Sequence, residues 1–314
     1  MYNGFNMKNY IGMGCKYSGE YRYRLTGPNG EIKDECDWKP NLLLDKGLDL
    51  LRTTNITAHM AIGSSNAPAD VTQTGLQGTY MAWDNYITTI FTPGNAVAPN
   101  WEKWKIKQGS FGTGVATGTI GEFVLSGTGS DPTPTGTACI RVALDTPIVK
   151  GALDSLSIQH KFTYWPEIAD INQVYLVNAD PYDILMRHFN GYNNGNSNDN
   201  LSFSSGYTVW SNATIPAGME IQGNNPGGLL CGGYTSAAVT YGDDGPNLFW
   251  TNHEVIWNID KFNGELDLIY IGVNADVPPI ACQFSKQSDG TGINKPNTHQ
   301  LTLNFRLYPQ RYIP

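Results

Sequence analysis

Residues 156–164 constrain the fold most tightly. Leu156, Ile158, His160, Phe162 and Tyr164 occupy every second position, with Ser, Gln, Lys and Thr between them. A strict period of two places all five on one face of an extended strand; on a helix they would scatter around the axis. Residues 300–308 repeat the pattern, with Leu301, Leu303, Phe305 and Leu307 inward. Shorter strand-like runs recur at 60–62, 86–91, 101–107, 118–125, 138–144, 207–210, 249–259 and 266–273. In 101–107, Trp101, Trp104 and Ile106 are the expected core residues. Gly/Pro/Asn clusters such as 63–70 and 92–95 separate the runs, as in a sandwich or jelly roll.

Composition excludes the alternatives. The 314 residues include 35 Gly, 18 Pro and 29 Asn, and only 15% are charged, against about 25% in ordinary globular chains. Too few helix formers remain to surface a helical bundle or an α/β enzyme. The expected fold is all-β, a β-sandwich or jelly-roll-like arrangement with one or two short helices and an N-terminal β-hairpin arm.

The arm is residues 15–38: Tyr17, Tyr21 and Tyr23 alternate with polar residues, Gly27-Pro28-Asn29-Gly30 makes the turn, and Ile32 and Trp38 follow. It is either the first hairpin of the main sheet or an extension that pairs with another subunit. One helix is expected over 41–52, where Leu44, Leu48 and Leu51 share a face. Gly47 weakens it by about 1 kcal/mol relative to Ala, and it is expected to plug an end of the sandwich. A second helix of one or two turns is expected over 181–188. Residues 190–200, nearly all Asn, Gly and Ser, form a loop. Three regions follow: an arm at 1–40, a β-sandwich domain at 41–168, and at 169–314 a second β-rich domain or a large insertion plus a closing C-terminal strand.

A formal charge of −8 repels a phosphate backbone, so no nucleic-acid partner is expected. No run of 18 apolar residues occurs, so no membrane span is expected. The first eight residues lack the apolar stretch of a signal peptide. Five cysteines, Cys15, Cys36, Cys139, Cys231 and Cys282, are odd in number and contain no CxxC pair, as expected of reduced thiols.

Signals of chemistry are sparse. The glycine-rich stretch 109–119 leads into a strand rather than a helix, so it lacks the geometry of a phosphate cradle. The histidines at 59, 160, 188, 253 and 299 are isolated from one another, and no metal ligands are assigned. Asp180/Asp183, Asp243/Asp244 and Glu265/Asp267 are carboxylate pairs that a glycosidase would need, but among 28 acidic residues such pairs are unavoidable. Asn194, Asn196, Asn198, Asp199 and Asn200 have calcium-loop spacing with a single carboxylate, which fits a solvated loop better. Trp and Tyr, 8 and 17 in number, stack on sugars or fill cores and interfaces. No catalytic, cofactor-binding or metal residue is assigned, and no cofactor.

Four segments in order carry a resemblance. They are residues 41–51 (NLLLDKGLDLL), residues 61–68 (AIGSSNAP) with 73–77 (QTGLQ), residues 111–114 (FGTG) with 117–123 (TGTIGEF), and residues 141–144 (RVAL) with 147–148 (PI) and the strand at 156–165. In this order they resemble structural and tail proteins of tailed bacteriophages, where an NLILDxGLD segment precedes an IGTGxxxPxxTxTxLQ loop and a GxIxEVG…R strand pair. The chain departs at Gly63-Ser64-Ser65 and at Phe123-Val124-Leu125. The match covers residues 38–166. The resemblance implies a non-enzymatic virion component of tail, collar or fibre type, made in host cytoplasm without a signal peptide. Its implied partners are further copies of itself, other virion proteins and, as a candidate, a host surface glycan. A carbohydrate-binding or hydrolysing receptor-recognition protein of the tail is the alternative.

Overall fold

In the computed structural model, residues 10–51, 56–84, 88–95, 103–127, 137–165, 171–177, 179–188, 205–211, 229–230, 234–236, 240–245, 248–259, 264–273 and 280–312 are described. They form an all-β, sandwich-like fold with one short helix. The chain divides into two compact units: residues 16–165 with 199–202 and 309–314, and residues 1–15 with 166–198 and 203–308.

The first unit uses β1 (Ile11–Thr26), β2 (Ile32–Pro40), β3 (Leu42–Leu43), α1 (Asp45–Leu51), β4 (His59–Gly63), β5 (Tyr80–Asp84), β6 (Thr88–Asn95), β7 (Lys103–Phe111), β8 (Gly118–Ser126), β9 (Ala138–Lys150) and β10 (Ser155–Trp165). One sheet runs β2-β1-β10-β7-β6 and the other β3-β9-β8-β4-β5, with every pairing antiparallel. Of the two arrangements open to the 15–38 hairpin, β1 takes the first: it pairs with β10 from Lys16↔Trp165 to Thr26↔Ser155 and buries Tyr17, Tyr21 and Leu25. The alternation at 156–164 reads true: Leu156, Ile158, His160, Phe162 and Tyr164 are all buried. The sheets meet face to face, with Tyr21 and Phe123 edge-on at 5.4 Å.

On β7 the aromatic pattern misleads. Lys105 and Lys107 lie on the buried face, whereas Trp104 and Ile106 are half-buried. Trp104 is sheltered on that other face by Lys161, whose ammonium lies 5.3 Å from the ring centroid. Trp101 lies outside the described residues.

The expected helix forms over Asp45–Leu51, with Gly47, Leu48 and Leu51 buried and Gly47 set against Cys139 of β9. Phe123 points to the facing sheet, so its neighbours Glu122 and Val124 point to the opposite face of β8. There Leu44, Ala61, Val124 and Ala138 form a cluster, with Leu42, Leu76, Tyr80 and Trp83 packed against it. Gly47 has a packing reason: a Cβ at this position would strike the carbonyl oxygen of Cys139 and the Leu43 side chain. Gly47→Ala adds helix propensity but is expected to lower stability by about 1–3 kcal/mol through overpacking. A thermal melt checks this; a higher melting temperature would refute the close approach.

The second unit uses β11 (Ile171–Val177), β12 (Asp180–His188), β13 (Ser205–Ser211), β14 (Leu229–Leu230), β15 (Tyr234–Ser236), β16 (Thr240–Asp243), β17 (Phe249–Trp257), β18 (Gly264–Leu266), β19 (Leu268–Val273), β20 (Ile280–Lys286), β21 (Ile293–Lys295) and β22 (Leu301–Arg311). One sheet runs β11-β12-β20-β19-β13-β14, β17 pairs with β15, β16 and β22, and β18 pairs with β21. The second helix expected over 181–188 is corrected: this segment is β12, hydrogen-bonded to β11 on one side and β20 on the other. Tyr182, Ile184 and Met186 alternate into the core. Half-buried Leu185 fills the apolar run and hides that period. On β22, Leu301, Leu303, Phe305 and Leu307 are buried as expected.

Candidate functional site

The first unit's most concentrated polar assembly is an ion pair inside the protein. Glu122 on β8 and Arg141 on β9 are both fully buried, with Arg141 Nε 2.9 Å from Glu122 Oε2. Each partner also grips the loop between β4 and β5. Glu122 accepts hydrogen bonds from the Gln77 and Gly78 amides (2.9 and 2.6 Å). Arg141 donates through Nη1 to Gln73 Oε1 (3.0 Å) and through Nη2 to the Ala67 carbonyl (2.9 Å). The charges are thus neutralised and their hydrogen-bonding capacity largely used, which a buried pair requires.

Around this pair the loop is stapled at further points. The Asp45 amide donates to Val71 O (2.9 Å), the Ala138 amide to Thr74 O (3.1 Å), and the Ser64 amide to Thr79 O (3.1 Å). Asp70 accepts from the Thr72 amide and hydroxyl (2.9 and 2.6 Å), and these bonds hold its carboxyl below the usual range. Gly121 lets the loop lie directly on β8, because a Cβ there would come within 2.6 Å of Ser64 O. Arg311 closes the assembly from the C-terminal segment, bonding Leu43 O and pairing with Asp45. The result is a rigid, hydrogen-bonded loop platform. Its ionised groups are spent on holding backbone.

The second unit carries a cluster around Asp244. Its carboxylate accepts from Arg306 Nη1 at 3.2 Å to each oxygen, from Trp250 Nε1 (3.0 Å) and from the Tyr308 hydroxyl (3.1 Å). The Arg306 guanidinium lies over the rings of Tyr10 and Trp250, 3.3 and 3.9 Å from their centroids. Burial is the main cause that lifts the Tyr308 phenol to about 12. These contacts latch Asp244, just past the end of β16, to β22.

The residues weighed from sequence fall in separate places. Asp180 and Asp183 stand three apart on β12 and so point to opposite faces; Asp180 pairs with Lys286 (2.7 Å) and Asp183 accepts from Gln287 (2.6 Å). Asp243 is exposed at the strand end beside Asp244. Glu265 accepts from the Gly292 amide (2.6 Å). His160 is buried in the first unit, and neither ring nitrogen has a hydrogen-bond partner among the described residues. Burial pushes it down to about 3. His253 is buried in the second unit and pushed down to about 4 for the same reason. The His59 ring lies tilted against that of Trp83, centroids 5.7 Å apart, and His299 meets the Thr298 hydroxyl (2.8 Å). The His188 side chain and the 190–200 loop lie outside the described residues. Among the described residues, no group of three or more His, Cys, Asp and Glu could hold a metal ion, and no helix is long and apolar enough to cross a membrane.

Among the described residues, Cys15, Cys36, Cys139 and Cys282 form no disulfide, and Cys231 lies outside the described residues. Burial pushes Cys139 up to about 12 and raises Cys282 further still. Alkylation of the native protein is therefore expected to reach half-buried Cys36 first among these four, and denaturation without reductant to expose all five thiols. Intact mass reads both states; a missing pair of alkyl groups would reveal a disulfide.

Glu122 and Arg141 were open to detection in the sequence. Each is a lone charge inside an apolar strand run, 120–125 and 138–144, and a charge in such a run needs a buried partner. Compared with known proteins, the chain matches no family model, no curated sequence and no solved structure.

Proposed function

We propose that the chain is a non-enzymatic structural component of a bacteriophage particle, of tail, collar or fibre type, assembling as a symmetric homo-oligomer. The supporting observation is that the phage-like segments, far apart in sequence, converge on one assembly. Gly47 and its helix, Ala67, Gln73, Gln77, Glu122 and Arg141 all belong to those segments, and the Glu122–Arg141 pair with its surrounding hydrogen bonds ties them together. A motif set whose charged members are spent on rigidity suits a scaffold. The remaining surface is left for protein contacts, which for a stable assembly bury about 1,000 Å² or more.

The test is quantitative mass spectrometry of purified particles, followed by incubation of the protein with host surface polysaccharide. A fixed, repeated copy number per particle and an uncleaved polysaccharide are expected. Absence from the particle would overturn the reading. So would sugar turnover that vanishes in Asp180→Asn or Asp183→Asn.

A further inference from the structure

The two units end their sheets differently. β2, at one edge in the first unit, carries Lys33, Asp34, Glu35, Asp37 and Lys39, and its pairing with β1 is interrupted by two irregularities. Charge and bulges are the usual means of keeping an edge from pairing with another chain. β11, at one edge in the second unit, has neither. Its sequence INQVYLV contains no charge, no proline and no glycine, and its register with β12 runs unbroken from Ile171↔Met186 to Val177↔Asp180. Among the described residues no strand pairs with its other edge. The opposite end of the same sheet is β14, only two residues long.

The side chains of β11 divide by face. Tyr175 is buried, whereas Val174 and Leu176 are 57% and 51% exposed. A seven-residue, uncharged, unbulged edge with two large apolar side chains in solvent is a strand-addition surface.

We propose that β11 pairs antiparallel with β11 of a second copy of this chain, about a two-fold axis at Tyr175. The occupant follows from self-complementarity. Pairing about this axis sets Val174 against Leu176 of the copy, and Leu176 against its Val174, so both exposed apolar residues gain an apolar partner. Gln173 then faces Val177. A self-pairing strand would set like charges near one another if it carried them, and β11 carries none. An isologous contact of this kind is the commonest way for identical chains to associate. The pairing deepens the proposed homo-oligomeric role by naming one of its surfaces. The two fail separately: a monomer in solution overturns the pairing and leaves particle association untouched, while absence from particles leaves the pairing standing.

The experiment is sedimentation of the full chain over a concentration series, compared with Val174→Lys/Leu176→Lys and Val174→Lys/Leu176→Glu. The wild type is expected to dimerise. The double-Lys variant, which sets lysine against lysine, is expected to weaken the dimer about tenfold or more. The Lys/Glu variant, which sets opposite charges across the axis, is expected to recover much of that loss. Both residues are more than half exposed, so circular dichroism is expected to stay unchanged. A wild type that remains monomeric at the highest concentration overturns the proposal. So does a dimer that the double-Lys substitution leaves intact, or one in which the Lys/Glu variant is no better than double-Lys.

Discussion

Arg141→Met is expected to remove about 3–5 kcal/mol from the stability of the first unit, because it strands a buried carboxylate. Glu122 has no exposure and would keep only the Gln77 and Gly78 amides as donors. The Ala67 carbonyl would lose its Arg141 donor as well, and Gln73 Oε1 would keep the Asp70 amide. Glu122→Gln/Arg141→Met is expected to be less damaging than Arg141→Met alone, since a neutral amide oxygen can still accept from the loop. Urea unfolding measures both. Proteolysis before Asp70 supplies an independent reading: the loop is expected to be cut in Arg141→Met and protected in the wild type. A loss below about 1 kcal/mol for Arg141→Met would mean the pair is not the anchor inferred here.

Lowering the pH is expected to destabilise both units, through His160 in one and His253 in the other. Burial depresses both from 6.5, to about 3 and about 4 respectively, so the folded chain holds them neutral while the unfolded chain protonates them below about pH 6.5. The unfolded state then binds more protons, and stability falls as pH falls. The contribution is whole above pH 6.5 and shrinks by about 1.4 kcal/mol per pH unit and per histidine toward the folded-state values. Between pH 7 and pH 5 the expected loss is about 2 kcal/mol for each. His160→Phe fills the site beside Phe162 with an apolar ring and removes two nitrogens that have no partner among the described residues. That variant is expected to lose the His160 share of the acid sensitivity. Urea midpoints at pH 7 and pH 5 decide; an unchanged pH slope in His160→Phe would contradict the assignment.

How much of the architecture was legible in the sequence depends on how cleanly each strand alternates. At 156–164 and 301–307 one face is apolar and the other polar, and the period alone gives strand, face and burial. At 181–188 the same period exists in Tyr182, Ile184 and Met186, but Leu185 fills a gap. Strand identity there is enforced by neighbours on both sides, which no local pattern contains. On β7 the sequence offers two aromatic or aliphatic residues and two lysines, and the fold buries the lysines. The decision lies with the facing strand: Lys107 sits opposite His160 and Lys105 opposite Phe162 on the inward face of β10. The loop platform was half visible. Its segments could be recognised in order, whereas Glu122 and Arg141, lone charges in apolar runs, were not singled out from the sequence. That they meet, and that both hold the same loop, depends on β8 and β9 pairing in register. Long-range pairing of this kind leaves no trace in spacing.

A repeated structural part of a phage particle, the role proposed for this chain, occupies symmetry-related positions on that particle. The most direct measurement is electron microscopy of particles labelled with an antibody to the chain. The expected result is label at symmetry-related positions on the tail. Unlabelled particles, with the protein confined to the soluble fraction of the infected cell, would contradict it.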